Sequence, residues 1–410
     1  MRQCLFAFAL CFPMISPAQS VDQNALDNLI TRAKETNSTA LVVYQNDKLI
    51  LNQCFDMYYI PIDAMSATKS FVNLAIGLLI TQGHLKSIDE PVYEFYPEWN
   101  HGLKKEVTIR HLLNHTSGIQ SQRMAKEIYA SNDYVELALK AAITDQPGSK
   151  FFYNNKAVNL LAGIVQKASG VRMNEYMHQH IFEPLGIENY SWLTDAFMSN
   201  YGVSQDTAYL KKGNPIGMAE LMIKADDMAK VGLLVLHKGF WNGKQIIAES
   251  WFDESMKPGQ DFNRTCGLLW WLLYDPGTSY VTFDESNLQK LAEVGLNDTI
   301  LHDLNKIKGL YKNEYEFLKA LETLDIIKKI GGGLAFKIYL FGKSFFDDIY
   351  TLHTENSTIV GFAARGSLGQ RMNIFPHKKL VVVRTMRPVN SKTPADNFFD
   401  FDLLSYALVK

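Results

Sequence analysis

The stretch Met65-Ser66-Ala67-Thr68-Lys69-Ser70-Phe71, followed directly by Val72-Asn73-Leu74-Ala75-Ile76-Gly77-Leu78-Leu79-Ile80, decides the fold. The apolar residues after Lys69 fall on every side of a helical projection, so this helix should be buried all round. Residues three apart share one helix face, which would place Ser66 beside Lys69 at the helix N-terminus, where free backbone N–H groups favour negative charge. A desolvated lysine amine is one way to activate a serine hydroxyl. A serine N-cap with a solvated lysine is the alternative interpretation, and the spacing by itself does not exclude it.

Length and composition describe an ordinary globular protein. The chain has 410 residues, of which 47% are apolar and 20% are charged. This suits one large domain or two interleaved lobes with an ample core. Lysine and arginine number 41 against 43 aspartate and glutamate, and they form no basic run. Neither nucleic acid nor an anionic membrane surface is therefore indicated as a partner.

The first twenty residues differ in composition from the rest. Arg2 precedes an apolar stretch at 4–12 and a run of small residues that ends at Ser20. This order predicts a cleaved signal peptide over residues 1–20, and it predicts that the domain of residues 21–410 is secreted or periplasmic. An uncleaved N-terminal anchor is the alternative, but the apolar stretch is too short to be a stable membrane span.

Two cysteines remain beyond the predicted signal, Cys54 and Cys266. An oxidising compartment would permit one disulfide between them, but two isolated buried thiols are equally compatible with the sequence. No cysteine and histidine residues have the spacing of a zinc site, and we expect no metal and no organic cofactor.

The order of elements predicts an α+β architecture. The predicted helices cover 22–34, 108–114, 133–143, 157–169, 173–181, 225–237 and 395–409, with Thr108, Asp133 and Asp226 as N-caps. The predicted strands cover 39–44, 48–51, 267–273, 360–364, 371–375 and 380–384. Strands from both ends of the chain would join one antiparallel sheet. The sheet lobe is then formed by 21–84 and 260–410, and a helical lobe spans 85–259.

Residues 275–350 separate two strands that should be neighbours, and they read as a helical insertion with apolar faces. A long insertion at such a place is more often a lid or binding element than a linker. We expect a cap over the cleft, and a subdomain packed away from the cleft is the alternative.

Four later stretches matter together with Ser66 and Lys69. They are Leu112-Leu113-Asn114-His115-Thr116-Ser117-Gly118, Pro147-Gly148-Ser149-Lys150-Phe151-Phe152-Tyr153-Asn154-Asn155, Pro184-Leu185-Gly186 and Gly361-Phe362-Ala363-Ala364-Arg365-Gly366-Ser367-Leu368-Gly369-Gln370. This ordered set resembles the serine β-lactamase-like hydrolases, which include class C β-lactamases, low-molecular-weight penicillin-binding proteins and related esterases and amide hydrolases. The resemblance implies the β-lactamase/transpeptidase-like fold, an antiparallel sheet flanked by helices with an inserted all-helical lobe.

The resemblance also implies roles for individual residues. Ser66 matches the acylated nucleophile, and Lys69 matches its proton-handling neighbour. Tyr153 matches the tyrosine taken as base in class C relatives, which is physically sensible because a nearby cation favours the phenolate. Asn155 matches the asparagine that binds the substrate amide or orients the lysine. His115 matches a residue of a structural turn, so we expect it to fix a loop rather than to act on Ser66.

The third motif is where this chain departs from the family. β-Lactamases have Lys-Thr-Gly on the strand that borders the site, and the matching positions here are Ala364, Arg365 and Gly366. The lysine that helps to hold a β-lactam carboxylate is therefore missing, although Arg365 is adjacent. If Gly366 takes the place of the motif glycine, the amides of Ser66 and Ser367 form the oxyanion hole.

These observations predict a secreted serine hydrolase that cleaves a small-molecule ester or amide through an acyl-enzyme on Ser66. A true β-lactamase or D-Ala-D-Ala carboxypeptidase, acting on a β-lactam or peptide, is one alternative. A non-catalytic binding protein on the same scaffold is the other. The second alternative would be marked by loss of Ser66, Lys69 or Tyr153, and all three residues are present.

Overall fold

A computed structural model describes residues 20–122, 125–192, 214–326, 349–387 and 400–410. The predicted signal segment lies outside these residues except for Ser20. The α-helices in the described parts are α1 (Gln23–Glu35), α2 (Thr68–Thr81), α3 (Ile109–Leu113), α4 (Lys126–Tyr129), α5 (Tyr134–Lys140), α6 (Asn155–Ser169), α7 (Met173–Met177), α8 (Ala225–Leu236), α9 (Glu249–Ser255), α10 (Glu285–Glu293), α11 (Asp298–Asn305), α12 (Glu314–Glu322) and α13 (Phe401–Ala407). Short 3₁₀ helices occupy Met65–Ala67, Val92–Glu94, Pro97–Trp99, Gly102–Glu106, Ser367–Gly369 and Pro376–Lys378, and a π-helical turn occupies His178–Phe182.

The strands in the same parts form four sheets. They are β1 (Ala40–Gln45), β2 (Lys48–Cys54), β3 (Ile62–Asp63), β4 (Ser191–Trp192), β5 (Leu221–Ile223), β6 (Phe240–Trp241), β7 (Lys244–Gln245), β8 (Trp271–Tyr274), β9 (Tyr280–Phe283), β10 (Gly309–Tyr311), β11 (Thr351–His353), β12 (Ile359–Gly366), β13 (Gln370–Phe375) and β14 (Leu380–Thr385). The main sheet has the order β2-β1-β14-β13-β12-β8, and its pairs are antiparallel. The predicted sheet made from both ends of the chain is therefore confirmed.

Alternation along the strands gives this sheet two buried faces. On one face Val42, Val383 and Ala364 belong to the large core that contains α2 and α8. On the opposite face Leu41 and Ala363 pack with residues of α1 and α13. The end of β12 lies against the turn that leads into α2, because a Cβ on Gly366 would lie 2.2 Å from the carbonyl oxygen of Ala64.

The central helix α2 is buried all round, as its sequence predicts. Residues 68–79 are all buried. Its polar Asn73 makes three buried hydrogen bonds: Nδ2 donates to the carbonyl of Leu268, and Oδ1 accepts from the indole N–H groups of Trp251 and Trp270. Gly77 is needed for close approach, because a Cβ there would lie 2.3 Å from the Trp251 ring. The helix thus holds the segment that leads into β8.

Several predicted boundaries need correction. The segment 267–273 becomes a strand only from Trp271, since Leu269 turns the backbone with a φ of 61°. Asp226 is not an N-cap: α8 begins after Lys224, and the Asp226 carboxylate accepts from the Tyr59 hydroxyl instead. Thr108 and Asp133 do cap α3 and α5.

The helical lobe and the final helix also differ in part from the expectation. The lobe is not all-helical, because the short strands β4, β5, β6 and β7 lie within 85–259. The predicted helix at 395–409 is described only from residue 400, and α13 occupies its second half.

The insertion at 275–350 is also not purely helical. Strands β9 and β10 lie within it, and they form a three-stranded sheet with β11, which follows directly after its end. Tyr280-Val281-Thr282-Phe283 alternates and is rich in β-branched and aromatic residues, which favours a strand over a helix. Together with α10, α11 and α12 this sheet encloses an apolar cluster of its own.

No disulfide joins Cys54 and Cys266 in the structure. The Cys266 thiol is buried and donates to the carbonyl of Gly267. Of the two possibilities left open by the sequence, the disulfide is therefore not formed, and Cys54 is only partly buried. No helix in the described parts of the chain combines the length and the apolar character that a membrane span needs.

Candidate active site

Ser66 lies in the 3₁₀ turn Met65–Ala67, which runs directly into α2. The turn is strained, because Met65 has a φ of 50°, which is unfavourable for a residue with a side chain. Asp63 holds it in place: its Oδ1 accepts from the backbone N–H of Met65 at 2.7 Å and from that of Glu220 at 3.0 Å. The hydroxyl of Ser66 is thereby presented at the N-terminus of the buried helix.

Lys69 is buried directly beside this hydroxyl. Its Nζ donates to Ser66 Oγ at 3.1 Å and to the carbonyl of Met218 at 2.6 Å. Burial lowers the pKa of Lys69 to about 7, although the Asp63 carboxylate acts in the opposite direction. A lysine with such a pKa is partly neutral near pH 7 and can accept a proton from a hydroxyl. The predicted pairing of Ser66 with Lys69 is present, and the solvated-lysine alternative is wrong.

The Met218 carbonyl is aimed at Lys69 by Asn159, a buried residue of α6 that the sequence did not single out. Asn159 Oδ1 accepts from the backbone N–H groups of Gly217 and Met218, both at 3.0 Å. These two bonds hold the backbone directly before the Met218 carbonyl, which accepts from Lys69. No motif could have revealed this contact, since Asn159 and Met218 lie 59 positions apart in the chain.

Tyr153 lies next to Lys69, with its aromatic ring close to the lysine amine. Lys69 Nζ lies 4.9 Å from the centroid of the Tyr153 ring. His115 holds the segment that carries this tyrosine, because its carbonyl accepts from Phe152 N–H and its Nδ1 accepts from Asn154 N–H. Burial, with a further effect of Lys69, lowers the pKa of His115 to about 3, so the ring is neutral. These contacts agree with the predicted loop-fixing role of His115.

Asn155 is the first residue of α6, next to the cap Asn154. The Oδ1 of Asn155 is buried and has no hydrogen-bond partner among the described residues. The hydrogen bonds of Lys69 go to Ser66 and Met218 rather than to Asn155. Of the two roles expected for Asn155, contact with a substrate amide fits this geometry better than orientation of the lysine.

Strand β12 brings the third motif against the nucleophile turn. A Cβ on Gly366 would lie 2.2 Å from the carbonyl oxygen of Ala64 and 3.0 Å from Met65 Cβ, so only glycine fits. Ser367 follows immediately with an exposed side chain. Ala364 is fully buried in the core, because it lies on the face of β12 that packs towards α2. Its expected contact with substrate is therefore not supported.

The Arg365 side chain is directed to a carboxylate of the protein itself, whereas the expected clamp would bind the carboxylate of a substrate. Its Nη2 lies 2.6 Å from the Asp402 carboxylate of α13, and the same carboxyl group accepts from Asn373 Nδ2. The Arg365 guanidinium also lies 5.6 Å from the Trp271 ring centroid. Trp271 in turn stacks on Tyr153, with centroids 6.3 Å apart and planes at 21°. The Arg365 charge is thus balanced within the protein.

Two buried acids lie beside the nucleophile turn. Burial raises the pKa of Asp63 to about 6 and that of Glu220 to about 8, and the Asp63 charge adds to the effect on Glu220. Glu220 has a φ of 74° and is 5% exposed. Sequence reasoning missed both, since neither belongs to a recognised motif. In the described parts of the chain, no group of histidine, cysteine and acidic residues could hold a metal ion.

Comparison with known proteins agrees with this arrangement. The Beta-lactamase family model matches residues 26–288. A β-lactamase of Escherichia coli is 25% identical over 128 residues, which is 31% of this chain and 33% of that protein. Penicillin-binding protein 4* of Bacillus subtilis is 31% identical over 131 residues, or 30% of this chain and 28% of that protein. The matched stretches therefore span only about a third of these relatives.

A solved family VIII carboxylesterase has the same fold, with a TM-score of 0.57, 13% sequence identity, and coverage of 96% of this chain and 98% of that one. At this identity the likeness concerns the fold alone. The antiparallel sheet with its helical lobe is thus the β-lactamase/transpeptidase-like fold that the motifs predict. Because the family model extends over well more than half of the residues and includes the Ser66, Lys69 and Tyr153 segments, this chain belongs to the β-lactamase family.

Proposed function

We propose that this protein is a serine hydrolase that cleaves an ester or amide through an acyl-enzyme on Ser66. The observation that supports this most directly is the 3.1 Å contact between Ser66 Oγ and a buried Lys69 whose pKa is about 7. A binding protein would have no need for a partly neutral lysine beside a serine at a strained turn.

The first half of the reaction follows from these positions. Ser66 Oγ attacks the substrate carbonyl carbon, and its proton passes to neutral Lys69 or to Tyr153 beside it. The carbonyl oxygen becomes an oxyanion, which the N–H groups of Ser66 and Ser367 would bind. When the intermediate collapses, the bond to the leaving group breaks and that group takes the proton. Asn155 would hold an amide on the substrate.

The second half returns the enzyme to its starting state. Water attacks the acyl carbon and gives a proton to Tyr153 or Lys69. The ester bond to Ser66 breaks, the acid leaves, and Ser66 Oγ takes a proton back. No step in this sequence calls for a metal or an organic cofactor.

An ester or a simple amide is favoured over a β-lactam. The position of the carboxylate-holding lysine is Ala364, which is buried, and the nearby Arg365 is paired with Asp402. The similarity to a β-lactamase and a penicillin-binding protein keeps β-lactam or D-Ala-D-Ala substrates as the second candidate. The residues of 1–20, with their short apolar core, support a secreted or periplasmic location for either activity.

Labelling with a fluorophosphonate probe tests the nucleophile. The parent protein should gain one adduct by intact mass, and Ser66→Ala should gain none. Ser250→Ala, which alters an exposed serine of α9, should label like the parent. An adduct that persists in Ser66→Ala would overturn the assignment. A chromogenic cephalosporin hydrolysed with higher kcat/KM than every p-nitrophenyl ester tried would favour the second candidate.

A further inference from the structure

A cavity of about 630 Å³ lies between the insertion, the β8 edge of the main sheet and α13. Its walls come from the loop before β8, from β8 and β12, from the start of α12, from β11 and from α13. Aromatic residues in the described parts of these walls are Phe151, Phe262, Tyr274, Tyr315, Tyr350, Phe375 and Tyr406. The volume lies in the range of sites that bind small molecules.

This cavity reaches the active site at a single layer of side chains. Arg365 lines both the large cavity and a small one of about 10 Å³ that is also lined by Ser66, Lys69 and Tyr153. Trp271 lies in this layer, since it stacks on Tyr153 and contacts the Arg365 guanidinium. We call Trp271 and Arg365 the partition.

The space on the Ser66 side of the partition is too small for a substrate. A volume of about 10 Å³ holds a water molecule at most. The body of an ester or amide attacked by Ser66 must therefore lie outside that space. The large cavity begins on the other side of the partition, and Asp402, which pairs with Arg365, lines it.

The charges of the wall indicate what kind of group fits. Among the described residues, four cationic side chains and four carboxylates line the cavity. The cations are Lys150, Arg264, Lys290 and Arg365, and the carboxylates are Asp261, Glu314, Glu355 and Asp402. Such a balanced wall does not select for a net charge, whereas the aromatic rings favour an apolar or aromatic group.

We propose that the cavity binds the part of the substrate remote from the scissile bond, that this part is an apolar, ring-bearing group without net charge, and that the partition decides which groups reach Ser66. The proposal rests on the acyl-enzyme function proposed above. It revises the expected cap: the insertion supplies a wall of a pocket beside the cleft, because the start of α12 and Tyr350 line this pocket together with β8 and α13.

The first test compares two esters that differ in their acyl group, p-nitrophenyl acetate and p-nitrophenyl 4-phenylbutyrate. The measured quantity is the ratio of kcat/KM for the phenylbutyrate to kcat/KM for the acetate. Tyr315→Ala removes an aromatic wall of the cavity and should lower this ratio about tenfold, the scale of one aromatic contact. Tyr280→Ala is the matched control, because Tyr280 is a tyrosine of the insertion that is 41% exposed and does not line the cavity. It should keep the parent ratio.

The second test concerns the partition and the charge. Trp271→Ala should raise the ratio by opening the way into the cavity. If this variant does not fold, Asp402→Asn removes the ion pair that holds Arg365 and should raise the ratio to a smaller extent. The mono-p-nitrophenyl ester of glutaric acid carries a negative charge and should be a poorer substrate than the phenylbutyrate. A preference for the glutarate ester would contradict the proposed ligand class.

Fluorophosphonate labelling of Ser66 in every variant separates the two proposals. If the parent is not labelled, the acyl-enzyme function fails and the cavity proposal fails with it. If the parent and Tyr315→Ala are labelled equally but their ester ratios are the same, the hydrolase assignment stands and the cavity proposal is wrong.

Discussion

The turn that carries Ser66 and the insertion at 275–350 are built in opposite ways. Around the turn, Asp63, Lys69 and Asn73 each bond to a backbone group at least 149 positions away in the chain. In the insertion, the buried side chains pack on one another and form a cluster separate from the two cores of the main sheet. The reactive group therefore depends on the whole fold, whereas the insertion depends mainly on itself.

This difference has a consequence for the site. Buried polar groups near Ser66 are costly to leave without partners, so a change in one of them affects the geometry of the others. An apolar cluster tolerates substitution as long as its volume is kept. On the proposal above, the insertion's part of the cavity wall can therefore change without changing the turn that carries Ser66, whereas the partition cannot, because Trp271 stacks on Tyr153.

A matched pair of core substitutions tests this separation most severely. Phe317 in the insertion and Phe71 in α2 are both fully buried, and Phe317 packs on Phe283, Tyr311 and Tyr350. Each change to alanine should cost about 3–5 kcal/mol in the stability of its own surroundings. Phe317→Ala should make the insertion sensitive to limited proteolysis while Ser66 still labels, and Phe71→Ala should lose labelling. Equal loss of labelling in both variants would show that the insertion is not separate.

A proline at position 367 tests the oxyanion contact of the turn. Ser367 is the first residue of a 3₁₀ helix, where proline is tolerated, and Gly366 already has the extended backbone that a following proline requires, with φ −122° and ψ 154°. Ser367→Pro should lower kcat about 10²- to 10³-fold, because it removes one N–H donor. Ser367→Ala keeps the N–H and should stay near the parent. A fully active proline variant would remove Ser367 from the oxyanion hole.

The buried acid beside the turn should give the stability of the protein a pH dependence. The pKa of Glu220 is raised by burial to about 8, so the folded state binds a proton more tightly than the unfolded state. This contribution to stability is complete below about pH 4 and is lost as the pH rises through 8. In Glu220→Gln the fall in unfolding free energy between pH 5 and pH 8 should shrink by about 3–4 kcal/mol. Denaturant unfolding at both pH values measures it, and an unchanged fall would mean that Glu220 ionises normally.

The smallest effect is expected at Asn159, which acts on Lys69 only through the Met218 peptide. Asn159→Leu removes the acceptor of two backbone N–H groups. It should lower kcat about tenfold, because the free energy of a factor of ten is similar to that of one or two net hydrogen bonds. Asn159→Asp keeps the acceptor and adds a negative charge near Lys69. It should retain more activity and shift the ascending limb of the pH–rate profile to higher pH, since the charge raises the pKa of Lys69. Identical profiles for the parent and Asn159→Asp would argue against this positioning role.

The sequence by itself determined the parts of this protein that depend on local order. The apolar run after Lys69 has no polar side, which is why α2 is buried all round. The spacing of Ser66 and Lys69 needs only helical geometry to bring them together. Strand-like stretches at both ends of the chain likewise predicted the main sheet. An alternating pattern of side chains indicates a strand and its two faces even when the neighbouring strands are not known.

Only the tertiary structure decided which residues contact one another across the packed faces of helices and strands. Periodicity shows that a side chain is buried but not what it meets, so the Met218 carbonyl on Lys69, the Trp271 ring on Tyr153 and the Asp402 carboxylate on Arg365 were not foreseen. The strands of the insertion were missed for a related reason. A short strand such as β9 becomes stable only when β10 and β11 pair with it, and those partners come from distant parts of the chain.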